Sequence, residues 1–80
     1  MSEIDWSHDA TVDARGLACP LPVLKARKAL LGMNPGERLL IEATDPMAAI
    51  DLPHFCNEVG HRLAASETRG EVLRFVIERT

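Results

Sequence analysis

Asp13-Ala14-Arg15-Gly16-Leu17-Ala18-Cys19-Pro20-Leu21-Pro22 decides how this chain folds. Two prolines one residue apart break a helix interior, because each lacks an amide donor and crowds the carbonyl four residues back. Both fit a first turn, where amides have no intrahelical acceptor. The helix therefore starts here, with Cys19 at or beside its N-cap. Downstream, Val23, Ala26, Leu30 and Met33 recur at helical spacing while Lys25, Lys28 and Gly32 fall opposite, so a helix is expected over Leu21 to Met33 with one packing face and one basic face. Arg27 falls inside the apolar arc between Val23 and Leu31, where snorkelling accounts for it, the stem on the core and the charge at the sheet edge. Upstream, Ala10, Val12 and Ala14 alternate with Thr11 and Asp13, the pattern of a short half-buried strand ending at Arg15-Gly16.

Working outward, Asn34-Pro35-Gly36-Glu37 is a turn. A second strand follows from Arg38 to Thr44, and Leu39-Leu40-Ile41, apolar on both faces, marks it as central. Asp45-Pro46 reads as an N-cap acceptor followed by proline at the first helical position. Pro53 interrupts this second helix, with Asp51 as a fresh N-cap, so one turn, a kink and a helix from Leu52 to Val59 capped by Gly60 are expected. Arg62 to Thr68 and Glu71 to Arg79 read as strands joined by the two-residue connection Arg69-Gly70. The order β-α-β-α-β-β, with a single apolar stripe on each helix and a one-sided last strand, implies an α+β two-layer sandwich. Both helices pack on one face of a four-stranded mixed sheet, and the first β-α-β unit is right-handed. Residues 1–9 lack either period and read as a flexible arm ahead of a single domain over 10–80.

Eighty residues are too few for two cores and leave little room for a deep substrate cavity, so chemistry should sit at the surface. A net charge of −3 is poor electrostatics for a phosphate backbone, and one Trp with two Phe offers few rings for stacking bases. No direct nucleic-acid partner is expected. The acidic start has no apolar core of a secretory signal, and no apolar run approaches a membrane span. A reducing cytoplasm is the expected compartment, with both thiols free.

Cys19 is the candidate nucleophile. N-caps normally use Ser, Thr, Asp or Asn, so a cysteine there has little packing purpose, and the positive end of a helix favours thiolate. A lowered pKa is expected, in limited measure because the prolines remove amides that would donate to sulfur. Cys56 shares a helical stripe with Leu52 and Val59 beside Phe55 and reads as a core thiol. His54 and His61, seven apart on the second helix, have no carboxylate or cysteine joining them at ligand spacing, and His8 lies in the arm, so no metal site is expected. No G-x-S-x-G, phosphate-binding loop or paired-carboxylate pattern supports a hydrolase or nucleotide enzyme.

Asp13-x-x-Gly16-x-x-Cys19-Pro20-x-Pro22, a Lys/Arg-bearing helix, a strand ending in Asp45-Pro46, then Asp51-x-Pro53 and Gly60-His61 together resemble the TusA family of sulfur-carrier proteins, also called SirA-like. The resemblance spans about residues 10–80. It implies that the cysteine matching Cys19 accepts sulfane sulfur from a persulfidated donor, a cysteine desulfurase or a rhodanese, and passes it to an acceptor protein without a cofactor. It also implies service to transfer-RNA thiolation, molybdenum-cofactor sulfuration or oxidation of reduced sulfur. On that reading Gly16, Pro20 and Pro22 position the sulfur, Lys25 and Lys28 offer docking contacts, and a monomer forms transient complexes. Two rival classes remain. A redox protein would pair Cys19 with Cys56 as resolving thiol, and a regulatory or RNA-binding domain would use the sheet.

Overall fold

The computed structural model describes residues 5–80. Strand β1 (Ala10–Ala14), helix α1 (Leu21–Leu31), β2 (Arg38–Ala43), α2 (Ala48–Val59), β3 (Arg62–Arg69) and β4 (Val72–Glu78) follow one another in the expected order. They build a four-stranded mixed sheet, β1-β2-β4-β3. β1 runs parallel to β2 with Val12 opposite Ile41, and β4 lies antiparallel between β2 and β3.

Strand alternation sends Ala14, Leu39, Ile41, Ala43, Phe75 and Ile77 to one face, where Ala26 and Leu30 of α1 and Ala48, Leu52, Phe55 and Cys56 of α2 cover them. Each fully buried leucine or isoleucine in this layer contributes about 1.5–3 kcal/mol. The intervening residues Leu40 and Val76 join Ala65 on the opposite face. That explains why β2 is apolar on both sides.

Four local expectations change. First, α1 closes at Leu31, with the Gly32 N–H donating to the Ala29 carbonyl and the Met33 N–H to that of Leu30, and Leu31 is 71% exposed. The packed stripe is Pro22, Ala26 and Leu30 with Val23, Ala29 and Met33 beside it. Arg27 thus lies outside the buried arc, exposed on the rim of a shallow groove with Leu31, Phe55, Val59 and Arg79.

Second, α2 is one helix of 12 residues with Pro53 inside it. Ala48 and Leu52 before the proline, and Phe55 and Cys56 after it, all anchor on the sheet, so packing on both sides carries the helix across the missing amide. Asp51 does not start a second helix.

Third, the hairpin turns at Gly70-Glu71, with Arg69 paired to Val72. The one-residue shift places Gly70, at φ 59°, in the first central position, where a type II′ turn takes glycine.

Fourth, residues 1–4 of the stretch read as a flexible arm lie outside the described residues, and Asp5–Asp9 are held against the sheet. Trp6 packs on the Leu40, Ala65 and Val76 cluster, with the Arg74 guanidinium 5.0 Å from its ring centroid. Arg38 donates from its backbone to Asp9 at 2.9 Å and from its side chain to the Asp5 carbonyl at 3.0 Å. The apolar patch left without a helix supplies the reason for this order.

Candidate functional site

The loop from β1 to α1 is fastened to Thr44 and Asp45, just past the end of β2. Gly16 turns the chain at φ 79°, in the left-handed region that favours glycine, and its N–H donates to Thr44 Oγ1 at 2.8 Å. The Cys19 N–H donates to Asp45 Oδ2 at 2.6 Å, while the other oxygen of Asp45 accepts the Met47 N–H at 3.0 Å. One carboxylate therefore anchors the approach to α1 and the first turn leading into α2, and both amides hold its pKa below the ordinary carboxylate value, Met47 more than Cys19. Asp45 is not the expected N-cap with Pro46 at the first helical position; its side chain caps the turn at Pro46-Met47 instead, and α2 begins at Ala48 with Met47 as its N-cap residue.

Pro20 is the N-cap residue of α1 and Pro22 lies in its first turn, so Cys19 sits one residue outside the cap. The first helical bond runs from the Leu24 N–H to the Pro20 carbonyl at 3.1 Å. Cys19 is exposed. Its thiol donates to Asp51 Oδ2 at 2.8 Å, joining the head of α1 to the side of α2.

This contact overturns the expected lowering of the Cys19 pKa. The Asp51 hydrogen bond first, then partial desolvation, then the charges of Asp51 and Asp45, push the thiol above its ordinary value. No amide of α1 donates to Sγ among the described residues, because Pro20 and Pro22 have none and the Leu21 N–H is taken by the Ala18 carbonyl. A half-charge without directed donors loses to a full carboxylate in contact with the sulfur.

Cys56 lies in the core at 2% exposure, and burial pushes its thiol up to about 11. Lys25 and Lys28 are exposed but flank the β1 side of α1, lining a shallow groove with Thr11 and Asp13. His54 pairs with Glu58 one turn on at 3.0 Å. His61 lies past the end of α2, so the two histidines share no helical face. Its ring meets Phe55 edge-on at 6.1 Å, and burial followed by the Arg79 charge lowers its pKa. His8 Nδ1 is 2.8 Å from the Trp6 carbonyl oxygen.

Exposed apolar side chains gather at the thiol end of the molecule. Leu21 and Leu24 follow Cys19 on α1, while Met47 and Ile50 stand beside its anchors Asp45 and Asp51 on α2. Sequence reading placed the cysteine but missed what the two acids do to it. Asp45 and Asp51 carry local signals of helix starts, whereas their contacts with Cys19 span 26 and 32 residues and arise only from tertiary packing.

The family described as sulfurtransferase TusA matches residues 10–79. The fold is similar to the crystal structure of the SirA-like protein from Desulfitobacterium hafniense, at 25% identity and a TM-score of 0.78, over 88% of this chain and 96% of that one.

Proposed function

Since the chain belongs to the sulfurtransferase TusA family, we propose that Cys19 carries sulfane sulfur as a persulfide from a donor protein to an acceptor protein. The observation that carries this reading is an exposed thiol just ahead of α1 with its loop tied at two points to the residues that follow β2, while the second cysteine is enclosed. A sulfur presented this way enters a partner's site rather than receiving a substrate in a cavity.

In the loading step the Cys19 thiolate attacks the outer sulfur of the donor's Cys–S–SH. The donor's S–S bond breaks, its thiolate leaves and takes a proton, and Cys19 becomes Cys–S–SH. Unloading repeats the exchange with an acceptor thiolate. Neither step changes the total oxidation level, so neither calls for an electron-carrying cofactor. Gly16, Pro20 and Pro22 hold the loop in place, and the exposed Leu21, Leu24, Met47 and Ile50 form the ground on which a partner settles. Lys25 and Lys28, on the flank, add steering toward acidic surfaces. A cysteine desulfurase or rhodanese fits as donor, a relay protein as acceptor, and a reducing cytoplasm as the setting.

The redox alternative lacks a resolving thiol, because Cys56 is buried and strongly protonated. An RNA-binding sheet is disfavoured by the Trp6 cover and by Glu42 and Glu67 clasping Arg74 on that face.

Incubation of the reduced protein with a cysteine desulfurase and cysteine, or a rhodanese and thiosulfate, followed by intact mass measurement, tests the reading. A reducible gain of one sulfur atom is expected, absent in Cys19→Ser and retained in Cys56→Ser. Equal uptake by both variants would remove Cys19 from its role.

A further inference from the structure

We propose that Asp51 holds the Cys19 proton until a cationic side chain of the donor protein takes its carboxylate, so that only a docked partner frees the thiolate. This latch rests on the carrier reading above and adds the chemistry a partner must bring.

Geometry supplies the first argument. Asp51 Oδ2 accepts the thiol proton at 2.8 Å, and a carboxylate so placed favours the neutral thiol by hydrogen bonding and opposes a neighbouring thiolate by charge. Charge pairing supplies the second. Asp5, Asp13, Glu42, Glu67 and Glu78 each have an arginine partner. Asp45 and Asp51, like Asp9, Glu37 and Glu71, form no ion pair among the described residues, and of these five they are the two that contact Cys19. The groups facing Cys19 are therefore Asp51 from α2, Asp45 from the loop before it, and the proline-blocked start of α1, with no cation in contact.

Docking supplies the third. A partner settling on Leu21, Leu24, Met47 and Ile50 strips water from Asp51, and burying an unpaired carboxylate is costly. A lysine, arginine or protonated histidine at the mouth of the partner's site offsets that cost. Once it pairs with Asp51, the thiol loses both its acceptor and its like-charged neighbour, and its proton passes to water. The thiolate then attacks the outer sulfur of the donor persulfide, the S–S bond breaks, and the departing donor thiolate takes a proton from water.

Three methanethiosulfonate reagents that differ in charge test the latch on the full chain without any partner. They carry a trimethylammonioethyl, a methyl or a sulfonatoethyl group, and labelling of Cys19 is followed by mass at low salt. Wild type is expected to react at least about tenfold faster with the cationic than with the anionic reagent, a preference that compresses in about 0.5 M NaCl. Asp51→Asn should reduce that ratio to about threefold or less and react roughly threefold faster with the neutral reagent, since a larger thiolate fraction outweighs its lower nucleophilicity. Asp51→Glu should keep the wild-type order. An absent charge preference in wild type, or an unchanged ratio and neutral rate in Asp51→Asn, overturns the proposal. Should Asp51→Asn not fold, Asp51→Glu and the wild-type salt series still decide. Sulfur uptake, read separately by mass, keeps the two claims apart: normal uptake with a flat charge ratio defeats only the latch, and failed uptake with an intact ratio defeats the carrier reading.

Discussion

Gly16 at φ 79° has open space around the position a Cβ would occupy, so a side chain there meets no atom and only the backbone objects. Gly16→Ala should therefore cost about 1 kcal/mol, read as a lower urea midpoint with an unchanged slope. Thr44→Val leaves the Gly16 amide without its side-chain acceptor and should cost a similar amount, about 1 kcal/mol. At this scale much of the site was legible. Glycine before the cysteine and proline on either side of Leu21 dictate a tight turn into a helix, because few other conformations accept those residues. The protonation state of Cys19 was not legible, since a helix start is a local property and the opposing carboxylates arrive from another element.

Among the elements, α2 shows how packing overrides a local breaker. Leu52 is fully buried one residue before Pro53, and Leu52→Ala should destabilise by about 2–5 kcal/mol, measured by chemical denaturation. The sequence pattern located this helix but divided it, because proline statistics know nothing of the sheet beneath. The β3–β4 connection slipped by one residue for a related reason, Arg69 being as compatible with a strand end as with a turn until its pairing with Val72 is formed. The segment before β1 was misjudged where it is described, because a single tryptophan gives no period. Trp6→Ala should uncover Leu40, Ala65 and Val76 and cost about 1–2 kcal/mol. As the molecule's one tryptophan, Trp6 should also shift its emission to the red in a variant with Arg38→Ala, which removes the side-chain bonds to Asp5 and Ser7.

For the molecule as a whole, α+β layering was legible in the alternation of periods along the chain, and it separates two thiols into opposite settings. Cys56 inside the helix-sheet layer titrates near 11 in the fold against about 9 when exposed. Its raised pKa means that the folded state keeps a proton the unfolded chain releases. The resulting stability is complete below pH 9 and is lost as pH rises toward 11, by up to about 1.4 kcal/mol per pH unit. Unfolding free energies measured across that window should fall more steeply for wild type than for Cys56→Ala. Cys19, outside the layer, leaves its chemistry to whatever docks at that end. The most direct measurement is peptide fragmentation of the sulfur-loaded protein, before and after addition of a persulfide-accepting protein. The account expects one extra sulfur on Cys19, discharged on contact with the acceptor, and sulfur found on Cys56, or held at Cys19 without discharge, would contradict it.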